Sequence, residues 1–413
     1  MTNSKPSARL LDLSRLISRA GNVLTGIDRV ELAYLRAFLA DTEPCFALVR
    51  TTLGYALLDR AGMNGLLERF NREVKWGPVD RLSRLAIRTS GPVKRAQSDV
   101  RRFAIARCRP RRLPKMLAQY LPKGIAYFNV GQSNLTDRMM NGLRYGIKAR
   151  IVIMIHDTIP LDYPQYQTPE SVTAFREKLR RTRAWGDMVI YNSACTKRDA
   201  QRHMSKWGDV PKSVIAPLGV EIIVPDHKAL PAHLGKKVPY FVYVSTIEPR
   251  KNHSLLLDIW DGFADEMARE DIPDLYICGK RGWQNEAVFA RLDALPVNGA
   301  VQEVNGLEDG ALAALVQGAA AMLFPSFAEG YGLPPIEAVI LGVPVVCDNL
   351  DIFHEVLGDT PVYAEVKDRY LWRKTIINLA EGYRTSQKAE NMGKKPFDPP
   401  NWGDHFNIVL KAM

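Results

Sequence analysis

Phe324-Pro-Ser-Phe-Ala-Glu-Gly-Tyr-Gly-Leu-Pro-Pro-Ile-Glu-Ala338 is the stretch that decides the fold: an apolar strand runs into a glycine loop and then into a helix. Gly330 and Gly332 let backbone N–H groups approach a ligand closely, and Pro334 or Pro335 suits the first helical position. A helix start presents unpaired N–H groups and a partial positive charge, so the stretch predicts an anion site, a phosphate above all. Glu329 lies on the loop and Glu337, eight positions later, in the first helical turn. There Glu337 could simply complement the helix dipole, worth about 0.3–1 kcal/mol. Glu329 has no such role. A carboxylate beside a phosphate is repelled unless it binds ligand hydroxyls, and sugar hydroxyls fit. As an exposed loop residue, Glu329 should be removable without loss of folding.

Outward from this stretch the same grammar repeats. Strand-like runs at Ile125–Val130, Arg150–Ile155, Met188–Tyr191 and Ser213–Pro217 precede others at Tyr240–Ser245, Leu275–Cys278, Ala321–Phe324 and Val343–Cys347, with amphipathic stretches between them. Short continuous apolar runs bounded by Gly, Pro and Asn suit parallel sheets covered by helices on both faces. Two doubly wound α/β domains follow. The pattern lapses from Val224 to Pro239, in linker composition, and again from Ser386 to Asn401, before a terminal helical stretch from Trp402.

The 413 residues, 46% apolar and 24% charged, can bury a large core and exceed one ordinary domain. Five scattered cysteines without a C-x-x-C pair argue against a zinc cluster, a redox dithiol or a secreted disulfide scaffold, and fit a reducing cytoplasm. Charges at Lys5, Arg9, Asp12, Arg15 and Arg19 leave no room for the apolar stretch of a signal peptide. The most apolar run, Ala311 to Phe327, is interrupted by Gln317, Gly318 and Pro325 and reads as a helix feeding a buried strand. The net charge of +11 is local: between Arg69 and Lys123 sixteen Lys or Arg face three acids, a local +13. Interleaved apolar residues, among them Val79, Leu82, Leu85, Ile87, Val93 and Phe103, give this segment a partly amphipathic helical reading.

Three further segments could carry chemistry. Val244-Ser-Thr-Ile-Glu-Pro-Arg-Lys-Asn252 follows a strand and starts a helix, with Arg250 and Lys251 at the turn. Ile153-Met-Ile-His-Asp157 ends a buried strand with His156 and Asp157, where open α/β sheets place their sites. Leu24-Thr-Gly-Ile-Asp-Arg-Val-Glu31 leads into a helix; Gly26 could pass close to a phosphate, or Thr25 could simply cap the helix.

Together these segments, the Glu329-to-Glu337 spacing first, resemble the retaining family-4 glycosyltransferases of bacterial glycan synthesis. The resemblance implies the GT-B fold: two Rossmann-like domains facing across a cleft, here with a basic helical insertion. It implies an acceptor-binding domain over 1–228 (insertion about 69–123), a nucleotide-sugar-binding domain over 236–385, and a segment, 386–413, crossing back to the first. By the same resemblance Glu329 contacts donor-sugar hydroxyls, Glu337 holds the nucleotide ribose, and Arg250 and Lys251 clamp the diphosphate. His156 lies by the donor sugar, and Asp157 orients it or the loop. Gly26, Gly330, Tyr331, Gly332 and Leu333 line the donor site, and Asn305–Asp309, with Leu307, the base pocket. Many family members have Gly-Arg where this chain has Ser245-Thr246.

The implied activity is metal-independent transfer of a sugar, mannose or rhamnose-like, from a nucleotide diphosphate sugar to a glycan or lipid-linked acceptor in surface polysaccharide synthesis. No cofactor is expected, and no Asp-x-Asp triplet suggests a metal. The alternatives are a non-catalytic GT-B-like scaffold that binds glycans or membranes, and a GT-B epimerase or phosphorylase. For the basic segment, anionic lipid at the inner face of a membrane attracts about 1 kcal/mol per surface cation, and an acidic glycan is a second candidate. Scarce aromatics disfavour nucleic acid, and a solvated basic surface with no partner is the remaining reading.

Overall fold

The computed structural model describes residues 6–84, 89–235, 239–297, 299–385 and 397–413. Leu85 and Ile87 of the expected amphipathic pattern, residues 236–238 of the first expected linker and 386–396 of the second lie outside these residues. The chain forms two compact units. One comprises Met1–Thr158, Thr173–Leu218 and Trp402–Met413, the other Ile159–Val172 and Gly219–Asn401. The first unit therefore gives way at Leu218 rather than 228, and residues 159–172, read as part of the N-terminal domain, pack with the second unit.

Unit 1 is built on an eight-stranded sheet of β1 (Arg9–Asp12), β2 (Cys45–Thr51), β3 (Gly54–Leu58), β4 (Ala106–Cys108), β5 (Ala126–Asn129), β6 (Arg150–Ile155), β7 (Met188–Tyr191) and β8 (Lys212–Ile215), in the order β4-β3-β2-β1-β5-β6-β7-β8. From β2 to β8 across the sheet all neighbours are parallel, whereas β3 and β4 add an antiparallel edge. That edge corrects the purely parallel reading, and it changes the meaning of the basic segment. Residues 69–123 supply an edge strand and the helix Leu113–Tyr120, whose Leu113, Met116 and Leu117 join the core beneath β1, β5 and β6. Each such side chain contributes roughly 1.5–3 kcal/mol by burial, so the segment is part of the domain's hydrophobic structure. Its acids are consumed internally: Arg69 Nε meets Asp99 at 2.5 Å and Arg101 Nε meets Asp80 at 2.6 Å. Arg107, Arg109, Arg111, Arg112, Lys115 and Lys123 are exposed.

The helix Trp402–Lys411 is fastened to unit 1 by His405. Its Nδ1 donates to the Pro217 carbonyl at 2.9 Å, leaving Nε2 to accept from the Tyr34 hydroxyl at 2.8 Å.

Unit 2 carries six parallel strands, β9 (Tyr240–Val244), β10 (Asp274–Cys278), β11 (Val301–Val304), β12 (Ala321–Phe324), β13 (Val345–Cys347) and β14 (Val362–Tyr363). Their order, β11-β10-β9-β12-β13-β14, reverses direction between β9 and β12. In such sheets the crevice at the carboxyl ends of the two strands flanking the reversal is where ligands bind. Unit 1 has its own reversal between β1 and β5.

Candidate active site

The carboxyl end of β9 runs through Glu248 into a tight turn, Pro249–Lys251, before the helix His253–Glu266. The carboxyl end of β12 runs through Ser326 into the glycine loop. Because β9 and β12 are neighbours, the two turns meet: the Phe327 N–H donates to the Arg250 carbonyl at 2.8 Å, and the Arg250 guanidinium donates to the Ala328 carbonyl at 2.8 Å. Glu329 is held between two cations, with Arg250 at 3.1 Å and an ion pair to Lys251 Nζ. Lys251 Nζ also lies 4.8 Å from the centroid of the Phe324 ring.

The Glu329 side chain is 7% exposed, so the exposed-loop reading is wrong. The loop is folded onto the β9 turn by these backbone hydrogen bonds, and the carboxylate is the counter-ion of two half-buried to buried cations. Burial works against its charge, but Lys251 and Arg250 outweigh burial and hold its carboxyl below the usual range. Burial, reinforced by the Arg250 charge, lowers the Lys251 ammonium.

Glu248, which sequence reasoning left without a role, is buried and meets Arg250 Nε at 2.6 Å; burial raises its carboxyl. His253 beneath Lys251 is fully buried and pushed down to about 3 by burial and the Lys251 charge. The Tyr243 hydroxyl fixes the turn by donating to the Lys251 carbonyl at 2.5 Å. A buried acid three positions before a lysine in a strand-end turn was visible as Glu248-Pro-Arg-Lys251, but its partner was not.

The helix after the glycine loop is Leu333–Ile340, with Gly332 as N-cap and Pro334 second rather than first. Glu337 is its fifth residue, outside the first turn and half-buried, so complementing the dipole does not account for it. Gly332 adopts φ +91°, and a Cβ there would lie 2.8 Å from Phe353. The left-handed backbone and the Phe353 ring packed against it by themselves require glycine at this position. Gly330, Tyr331 and Leu333 line the same turn, with Tyr331 buried. Leu307, half-buried, sits on the loop after β11.

The remaining candidates belong to unit 1. His156 follows β6 and is buried; its Nε2 meets the Val130 carbonyl at 2.6 Å, which makes Nε2 the protonated nitrogen. Burial lowers its pKa to about 4, so it is neutral at pH 7. Its backbone carbonyl accepts from Asn192 Nδ2 at 2.8 Å, while Asp157 follows it half-buried. Gly26 is the first residue of the helix Gly26–Ala40, and the Thr25 N–H donates to Asp28 Oδ2 at 2.8 Å, so this turn is a capped helix start. Arg15, read in the sequence only as a charge, anchors it with Nε 2.9 Å from Asp28, and its charge also depresses His156.

Among the described residues no three His, Cys, Asp or Glu side chains gather as a metal-binding group, and no helix is long and apolar enough to cross a membrane.

Comparisons with known proteins follow the same division. Residues 228–395, most of unit 2, match the family model described as glycosyl transferases group 1. The chain is 36% identical over 129 residues to O-antigen chain mannosyltransferase B of Escherichia coli, covering 31% of this chain and 33% of that one. It is 28% identical over 235 residues to the serotype-specific mannosyltransferase WbdA of the same organism, covering 53% and 27%. The chain thus spans a third or less of the length of these curated relatives. Over the whole fold it is similar to Anabaena HepE in complex with UDP-glucose, with TM-score 0.59 and 14% identity over 98% of this chain and 100% of that one. It is likewise similar to OtsA, with TM-score 0.56 and 13% identity over 98% and 96%. At these identities the likeness speaks for the fold alone, which is the two-domain Rossmann-like GT-B fold.

Proposed function

We propose that this chain, whose second unit is a glycosyl transferases group 1 match, transfers a hexose from a nucleotide diphosphate sugar to a glycan or lipid-linked acceptor in surface polysaccharide synthesis. The observation that carries the reading is the Lys251–Glu329–Arg250 cluster at the reversal of the unit 2 sheet. Two cations at a strand-end turn suit a diphosphate, and a carboxylate between them suits sugar hydroxyls. Mannose is the favoured sugar because the curated relatives are mannosyltransferases.

In this reading Arg250 and Lys251 neutralise the departing diphosphate, and preorganised cations there supply the charge stabilisation that a divalent metal would otherwise give. The transfer retains anomeric configuration. The bond from the anomeric carbon to the diphosphate oxygen breaks, the acceptor hydroxyl oxygen bonds to that carbon on the same face, and its proton passes to the departing diphosphate oxygen. Glu329 holds the sugar rather than attacking it. Glu337 holds the ribose, with Leu307 by the base and Gly330 to Leu333 along the donor. Neutral His156 offers Nδ1 as an acceptor to a sugar hydroxyl, Asp157 orients that loop, and Gly26 faces the phosphate. The enzyme works at the cytoplasmic face of a membrane, with the exposed cations Arg107 to Lys123 against anionic lipid; vesicle binding should need anionic lipid and weaken sharply with salt.

The test is nucleoside diphosphate release from a panel of sugar nucleotides, with and without crude lipid-linked glycans. Release from one donor, lost in Glu329→Gln, is expected. Donor binding without release in any combination would point to a glycan-binding scaffold instead.

A further inference from the structure

An aromatic row lies beside the cluster, entirely within unit 2. Tyr163 and Tyr166 flank Pro164 in a single 3₁₀ turn, Pro164–Tyr166, closed by the Tyr166 N–H donating to the Tyr163 carbonyl at 3.1 Å. Side chains three apart on a 3₁₀ turn eclipse one another, so the two rings stack, with centroids 6.3 Å apart and planes 18° from parallel. Tyr166 in turn stacks on Phe327, at 5.5 Å and 11°. Trp283 adjoins the row through the backbone, its indole N–H donating to the Tyr166 carbonyl at 3.3 Å. Tyr163 is 37% exposed and Trp283 40%.

Three features turn this row into a ligand platform. Its inner end is part of the cluster, since Phe327 is two residues before Glu329 and its N–H is bonded to the Arg250 carbonyl. Its rings carry no formal charge, which suits a neutral partner and not the diphosphate that the neighbouring cations serve. And aromatic faces carry partial negative charge, to which the C–H face of a pyranose presents slightly positive hydrogens. A row of successive rings reaches along several linked sugars, whereas a nucleobase would use one.

We infer that Tyr163, Tyr166 and Phe327, with Trp283, form the subsite that holds the acceptor glycan beside the donor; this rests on the glycosyl-transfer reading. The experiment is calorimetric titration of the full chain with linear α-linked mannotriose, with methyl α-mannoside and with GDP. Mannotriose should bind more tightly than methyl mannoside. Tyr166→Ala should weaken mannotriose roughly tenfold, the scale of one aromatic contact, and leave GDP affinity within about twofold. Tyr166→Phe, which keeps the ring, should bind like the wild type and guards against a fold defect in the alanine variant, whose thermal melting is measured in parallel. Unchanged mannotriose binding in both Tyr166→Ala and Trp283→Ala overturns the subsite, as does a fall in GDP affinity matching the fall for mannotriose. A wild type that binds GDP but no mannotriose overturns the row alone. One that binds neither mannotriose nor any nucleoside diphosphate overturns the underlying reading as well.

Discussion

The two units place carboxylates at the same point of the same topology and treat them oppositely. At the reversal in unit 2, Glu329 lies between Lys251 and Arg250 and its carboxyl is held below the usual range despite burial. At the reversal in unit 1, Asp12 ends β1 and accepts from the Ser14 N–H at 2.9 Å, the Tyr127 hydroxyl at 2.8 Å and Asn134 Nδ2 at 2.9 Å. Near it Glu31 is fully buried, its oxygens lacking a hydrogen bond of good geometry, with the Leu16 backbone and the Arg15 charge giving weaker support. Burial raises both carboxyls, Glu31 well above its ordinary value. One sheet reversal therefore holds its carboxylate between two cations, whereas the other holds its carboxyls by hydrogen bonds and burial. A shared fold fixes where polar groups converge; the charges on adjoining turns fix what they can bind.

The largest expected effect breaks the ionic side. Glu329→Ala leaves Lys251 and Arg250 without their carboxylate; losing one partner of a buried pair costs about 3–5 kcal/mol, so chemical denaturation should find the variant strongly destabilised as well as inactive. A wild-type midpoint would return Glu329 to a freely dispensable loop residue.

Acid titration comes next, because both units bury neutral histidines. His156 and His405 in unit 1 are lowered to about 4 and His253 in unit 2 to about 3, all chiefly by burial. A depressed folded pKa means the unfolded chain takes up protons first. Stability is then full above pH 6.5 and falls as pH drops towards 4, by on the order of 3 kcal/mol per histidine. The raised carboxyls of Asp12 and Glu31 act in the opposite sense, since acid relieves them. Denaturant melts between pH 4 and 7 should show stability rising with pH, and a flat profile would contradict the buried neutral imidazoles.

Gly332→Ala should cost about 1–3 kcal/mol, through the left-handed backbone and the contact with Phe353, and should weaken donor binding by displacing the loop that carries Glu329. An unchanged melting temperature would remove the packing explanation for this glycine.

The smallest effect is the sharpest contrast. Glu31→Gln, at a carboxyl that burial pushes well above its ordinary value, should cost less stability at pH 7 than Glu329→Gln, which removes a charge two cations need. Equal losses in the two variants would erase the difference between the units.

Much of this was legible beforehand. Arg150–Ile155, Met188–Tyr191 and Ala321–Phe324 form strands at the expected residues, because buried parallel strands are continuous apolar runs that need no distant information. The short edge strand β4 escaped notice because Arg107 and Arg109 gave it the look of a solvated basic segment. Glu329 and Lys251 each stood out in their own turns, but their pairing spans 78 positions. Tyr163-Pro-Gln-Tyr166 carried the 3₁₀ spacing in plain view, though not the Phe327 ring it stacks on.

Sequence by itself determined the two doubly wound units, the strand-loop-helix turns and the residue types at their tips, since these follow from local periodicity and from the backbone demands of Gly and Pro. Tertiary structure alone decided that residues 159–172 pack with unit 2, that Glu329 is a buried counter-ion, and that burial pushes the Glu31 carboxyl well above its ordinary value. Those outcomes depend on which strands become neighbours and on how much water is excluded between them, and burial and distance, which set the electrostatics, exist only once the sheets have formed.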